Sequence, residues 1–247
     1  MSKIPSPWQR GFGPSSLPAS DVHVWRVPLD QTTDRVRELR KMLSPGENKG
    51  LADISSEERR ASFCICRGTL RMLLGRYAGS APGQVRLRSG PFGKPSLDPS
   101  GPGKDIEFNV SHSGRVALIS LAAGRRIGVD VEEFRGDVRV EDLARNFFTA
   151  QEREPILALS GERKAKAFYA CWTRKEAAIK AVGGSAAALC GKVIVSSHPG
   201  RPARILQMPS RPDRGEWHLE DLPVGEGYAA ALCCDGRPSG LFLWEQE

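Results

Sequence analysis

Along the chain, apolar and polar positions alternate in some stretches and repeat at helical spacing in others. Residues 22–27 alternate as a strand does, and Pro28 ends the run. A polar helix is predicted over 33–42. The run Ser55-Ser56-Glu57-Glu58 caps a longer amphipathic helix that carries Phe63, Leu70, Leu73 and Leu74 to about residue 77. Tight loops follow at 89–95 and 99–103. Two apolar strands, 106–110 and 116–122, flank a turn made of Ser111-His112-Ser113-Gly114, and a third strand covers 127–131. Helices are predicted over 140–147, 149–159 and 162–182, the second opened by the capping box Thr149-Ala150-Gln151-Glu152. Short strands are then expected at 191–195, 203–207, 216–220, 228–234 and 241–244. Helices beside an antiparallel sheet in each half make the fold class α+β.

The 247 residues, 40% hydrophobic and 26% charged, suit one large domain or two modest ones with a sizeable core. No apolar run reaches the roughly 18–20 residues that span a bilayer, so no membrane role is expected. Residues 1–20, rich in Pro, Gly and Ser, carry no leader pattern and are read as a mobile tail. Six cysteines show no metal-ligand spacing, which suits buried free thiols in a cytoplasmic protein. The formal charge of +7 is uneven. Residues 1–125 hold 19 Lys and Arg against 11 Asp and Glu, whereas residues 126–247 hold 17 against 18. The front half therefore suits phosphates, nucleic acid or an acidic protein, or is simply an Arg-rich surface.

Four groups of residues could carry chemistry. Asp130 and Glu132, two apart on a strand, share one face, where hard carboxylate oxygens suit Mg²⁺; the plainer reading is a strand running out into solvent. Glu176 and Lys180 share a helix face with Trp172 and have Lys175 beside them, although such pairs usually only stabilise a helix. His112, between two serines, could meet a phosphate or be an ordinary turn histidine. Lys94, between Gly93 and Pro95, has the same two readings.

The motifs also occur together and in one order: G-K-P at 93–95, F-N-V-S-H-S-G at 108–114, I-G-V-D-V-E at 127–132, F-F-T-A-Q-E at 147–152 and W-T-R-K-E-A-A-I-K-A at 172–181. This order closely resembles the signature of the 4'-phosphopantetheinyl transferases, nearest in length to the long, monomeric type that activates peptide and polyketide synthetases. The resemblance is tight over 90–182 and loose elsewhere. It implies two similar α+β halves related by a pseudo-two-fold, each with an antiparallel sheet, dividing as a coenzyme-binding half at 21–125 and a catalytic half at 126–247. Coenzyme A and Mg²⁺ would lie between them, with Asp130, Glu132 and Glu176 on the metal. His112 would contact the coenzyme phosphates, while Lys94, Pro95, Ser111, Lys175 and Lys180 would lie close to coenzyme A. Glu152 matches a further acidic site residue.

The reaction so implied moves phosphopantetheine from coenzyme A to a serine of an apo acyl or peptidyl carrier protein and releases adenosine 3',5'-bisphosphate. Glu176 is then the candidate base and Lys180 the candidate for stabilising the leaving phosphate. One departure from the pattern is Ser62, where the family usually has a basic residue before the aromatic; Arg60 is the substitute expected to meet the 3'-phosphate. A Mg²⁺-dependent nuclease could use the same acidic cluster. A basic nucleic-acid-binding module is a third reading, weakened by 7% aromatics and no recognised motif, so no nucleic-acid partner is expected.

Overall fold

The structure, a computed structural model, describes residues 7–11, 13–90, 93–198, 200–209 and 216–246. The front half opens with β1 (Gln9–Arg10) and β2 (Asp21–Pro28), followed by helices α1 (Thr33–Arg40), α2 (Pro45–Gly50) and α3 (Glu57–Ala78). The short pair β3 (Leu87–Ser89) and β4 (Pro95–Leu97) then leads to β5 (Ile106–Ser113) and β6 (Val116–Ala123). The back half runs β7 (Ile127–Glu133), α4 (Val140–Phe147), α5 (Ala150–Leu157), α6 (Gly161–Val182), α7 (Ala186–Leu189), β8 (Ile194–Val195), β9 (Ile205–Gln207), β10 (Trp217–Asp221), β11 (Tyr228–Asp235) and β12 (Gly240–Glu245).

One plan is used twice. In front, a strand, a 22-residue helix and a hairpin give the order β2-β6-β5; behind, the same succession gives β7-β11-β10 around a second helix of 22 residues. Both long helices end on a left-handed glycine, Gly79 and Gly183, which satisfies carbonyls of the last turn. Each buries one arginine that fastens its surroundings. Arg71 of α3 donates to Glu47 and to the carbonyls of Pro82 and Val85. Arg174 of α6 grips Asp221 with two nitrogens and donates to the carbonyls of Ser196 and Arg201.

Strand alternation sorts the core into layers. Val22 and Val24 of β2 meet Val129, Val131, Ala230 and Leu232 of the back sheet in a core shared by the halves. The opposite faces meet helices: Trp25 and Val27 pack with α3, and Ala231 and Cys233 pack with α6. The chain is thus a helix–sheet–sheet–helix stack of α+β type.

Three features differ from the expected pattern. The front sheet is mixed, because β12 runs parallel to β2 from Gly240 opposite Asp21 to Glu245 opposite Arg26. The segment read as a mobile tail is anchored from Pro7 onward over its described residues, while 1–6 and 12 lie outside them. There β1 pairs with β12, Trp8 is buried with its indole donating to the Pro223 carbonyl, and Arg76 holds the carbonyl of Gly13. Finally, Ser111, His112 and Ser113 belong to β5 itself. Ser113 pairs with Val116, which leaves a two-residue loop whose first position, Gly114, has φ +54°.

Candidate active site

The site begins with Gly128. A Cβ there would lie 2.1 Å from the carbonyl oxygen of Ala177, so only glycine lets α6 settle on β7. Ala177 and Ala181 complete the contact from the helix, and this close approach hangs Trp172, Glu176 and Lys180 over the strand face that carries Asp130 and Glu132. Those five residues, with Val110, Ser111 and His112 from β5, line one cavity of about 430 Å³ between the halves.

Asp130 is 3% exposed. Its Oδ1 accepts from Lys180 Nζ at 2.5 Å and from the Ser111 hydroxyl at 2.8 Å, while Oδ2 is buried with no hydrogen-bond partner. Glu132 accepts from the Ser113 hydroxyl at 2.8 Å. Burial pushes the carboxyl of Asp130 above its ordinary range against the pull of Lys180. Burial, followed by the charge of Asp130, raises Glu132 and Glu176 as well. Three carboxylates thus share a cleft where burial disfavours their charge, and the charge of Asp130 adds to this at both glutamates. Among the described residues no three His, Cys, Asp or Glu side chains are gathered into a metal cluster, and it is Lys180 that meets Asp130.

A larger cavity of about 970 Å³ adjoins this one on the front side and shares Val110 and the exposed His112 with it. Its floor is apolar, with Leu29, Phe63 and Leu70, and Arg59, Arg67 and Pro95 also line it. Ser56 and Ser62 lie on the same wall.

Of the residues singled out in the sequence, Asp130, Glu132, Glu176, Lys180, Ser111 and His112 are brought together, with Pro95 in the adjoining cavity. Three basic ones turn elsewhere. Lys175, 3% exposed, points into the back core, where its ammonium lies 2.6 Å from Glu152. Glu152 is wholly buried and also accepts from Thr149 and from the Val195 amide, so it is a tie between α5, α6 and β8. Arg60 donates to the carbonyls of Ile54 and Ser55 and caps the approach to α3 rather than facing the cavity. Lys94 is not a free turn lysine: its ammonium donates to the carbonyls of Ile127 and Lys180, clamping the start of β7 to the end of α6, and it lines a separate cavity with Lys104 and Arg126.

Sequence reading had Arg59 beside Arg60 as a nearby arginine but chose Arg60, and it missed Gly128 and Ser113. The lone glycine within an apolar strand was the available signal for Gly128. For Ser113 it was the period-two spacing from Ser111, hidden when the segment is taken as a turn.

Comparison with known proteins agrees with this geometry. Residues 126–233, which hold β7 and α6, match the model of the 4'-phosphopantetheinyl transferase superfamily. The chain is 35% identical over 221 residues to the 4'-phosphopantetheinyl transferase HetI of Nostoc sp. strain PCC 7120, covering 90% of each chain. It is 31% identical to a putative 4'-phosphopantetheinyl transferase of Synechocystis sp. strain PCC 6803, over 81% of this chain and 79% of the relative. The transferase Sfp of Bacillus subtilis strain 168 is 27% identical, over 66% of this chain and 69% of the relative. With these motifs gathered where two like halves meet, and with a relative of this identity along nearly its whole length, the chain belongs to the 4'-phosphopantetheinyl transferase superfamily and is an enzyme of that kind.

Proposed function

We propose that the two cavities divide the transfer of 4'-phosphopantetheine from coenzyme A to a carrier-protein serine, residues 21–125 binding the coenzyme and residues 126–247 supplying the reacting groups. The carrying observation is that a large, largely apolar cavity and a small acidic one share His112 and Val110. The nucleotide of coenzyme A fits the front cavity, where Arg59, rather than Arg60, is the arginine for its 3'-phosphate, Arg67 being paired with Glu47 and laid over the Phe63 ring. His112 at the junction then faces the pyrophosphate.

Mg²⁺ suits the acidic cavity on the chemistry of its donors. Asp130, Glu132 and Glu176 offer hard oxygens, Asp130 Oδ2 is buried without a partner, and a cation would offset the burial that raises all three carboxyls and the charge of Asp130 that adds to it at Glu132 and Glu176. Asp130, Glu132 and Glu176 would hold Mg²⁺, which would supply charge neutralisation for the pyrophosphate. The Glu176 carboxylate takes the proton of the carrier serine as its oxygen bonds to the β-phosphorus. The bond from that phosphorus to the bridging oxygen breaks, and the Lys180 ammonium stabilises the departing adenosine 3',5'-bisphosphate. Both walls of the cleft come from one chain, which supports action as a monomer. Among the described residues no helix is long and apolar enough to cross a membrane.

The test is incubation with coenzyme A, Mg²⁺ and an apo carrier protein, with the carrier weighed by mass spectrometry. A gain of one phosphopantetheine, abolished by chelator, is expected; no gain across several carriers, or a gain indifferent to chelator, overturns the assignment. Family membership leaves the nuclease and nucleic-acid readings without support.

A further inference from the structure

The edge strands of the two sheets meet at the cleft. β5 takes its backbone ladder from β6, and β7 takes its own from β11. Side chains join them. Asn109, Ser111 and Ser113 alternate along β5, so all three leave the same face. Asn109 Oδ1 accepts from the Val129 amide at 2.8 Å. The Ser111 hydroxyl accepts from Lys180 Nζ at 3.1 Å and donates to Asp130 at 2.8 Å. The Ser113 hydroxyl accepts from the Glu133 amide at 3.1 Å and donates to Glu132 at 2.8 Å. Each serine therefore receives a hydrogen from the back half and gives its own to a back-half carboxylate, which fixes the direction of its proton.

We propose that Ser113 is a positioning residue for the transfer: its hydroxyl, contributed by the front half, holds the Glu132 carboxylate of the back half toward the cleft. Glu132 needs such a hold. It is only partly buried, it lies two residues from Asp130 on the same strand face, and Asp130 repels its charge. Without a fixed donor, repulsion and hydration both favour turning the carboxylate outward. Asp130 is held by Lys180 as well as by Ser111, whereas Glu132 has Ser113 and the indole of Trp172. The ladder makes the placement of a cleft carboxylate depend on how the halves are seated together.

This inference rests on Glu132 as a cation ligand, and the experiment separates the two. Mn²⁺ binding to the full chain, with and without coenzyme A, is followed by electron paramagnetic resonance of the free ion for wild type, Ser113→Ala, Ser113→Thr and Glu132→Gln, each checked for an unchanged melting transition. Ser113→Ala is expected to weaken Mn²⁺ about tenfold, the range for loss of a group that orients a metal ligand. Ser113→Thr, which keeps the hydroxyl, recovers to within about twofold of wild type. In turnover, Ser113→Ala raises the Mg²⁺ requirement by a similar factor and leaves KM for coenzyme A unchanged at saturating Mg²⁺. If Glu132→Gln binds Mn²⁺ poorly but Ser113→Ala binds it as wild type does, or if threonine fails to rescue, the positioning role is overturned. Wild-type affinity in Glu132→Gln overturns the ligand assignment itself and the inference with it.

Discussion

The two halves share a plan and differ in one face. In front, the side of β2 that looks toward α3 carries His23, Trp25 and Val27, with Trp25 and Val27 closing a hydrophobic core against Ile65, Leu70, Leu73 and Leu74. Behind, the side of β7 that looks toward α6 carries Gly128, Asp130 and Glu132. Where the front half spends a strand face on packing, the back half spends it on charge. Gly128 draws the helix near, and the two acids lie beyond the point of contact. A site can thus be made within a repeated frame by removing bulk at one strand position and placing carboxylates at the next two on that face. The cost appears in the raised carboxyls of Asp130, Glu132 and Glu176, whereas on β2 burial acts on one ionisable group, His23, which it holds toward the neutral form.

The contrast can be broken most severely at the acidic face. Asp130→Ala and Glu176→Gln should each lower kcat by about 10³, within the range for groups that move a proton or organise transition-state charge. Turnover with a purified carrier at saturating Mg²⁺ checks this. Next, Gly128→Val should cost about 3 kcal/mol of stability in urea unfolding, because the new side chain meets helix backbone that has nowhere to go. Activity should fall with it even well below the melting temperature. Gly68→Val in α3, which would strike the Leu39 carbonyl instead, should cost similar stability and leave kcat at low temperature near wild type.

A smaller effect distinguishes the cavity arginines. Removing Arg59 should raise KM for coenzyme A about tenfold while leaving 3'-dephospho-coenzyme A nearly unaffected. Arg60→Ala should weaken neither cosubstrate selectively, since its guanidinium is engaged by backbone carbonyls.

The smallest prediction concerns stability and its sign. Burial holds Glu176 above 4.5, so its charge opposes folding at neutral pH, and that penalty fades as pH falls through the raised value toward 4.5. Without divalent cation, Glu176→Gln should therefore melt about 2 °C above wild type at pH 7. The gap should close on acidification toward the ordinary carboxylate range. A constant gap from neutral to acid pH would show that the carboxyl is not held up by its surroundings.

Much of this was readable in residue patterns. Asp130 and Glu132 could be placed on one face by period two, and Glu176 with Lys180 by helical spacing, because those rules depend only on backbone geometry. The capping boxes fixed helix starts closely, as at Thr149. The short helix α2, opened by the Ser44–Glu47 box, went unread because six residues with two glycines have no apolar period to detect. The destinations of Lys94, Lys175 and Arg60 were also hidden. Long basic side chains are expected to seek solvent or phosphate, and only tertiary placement shows a carbonyl pair or a buried glutamate waiting for them. The parallel pairing of β12 with β2 was equally out of reach, since strand patterns encode which face is buried but not which neighbour is chosen.

That pairing has a further consequence for how the protein comes into being. The front sheet takes one of its central strands from residues 240–245, so β2 has an open edge on the growing chain until synthesis has passed the whole back half. During that interval the unpaired edge is a template for other chains. Completion of the front sheet therefore waits on the last strand of the chain, and a messenger cut short after β11 would leave β5 and β6 facing the acidic cleft while β2 kept a bare edge on the far side of the sheet.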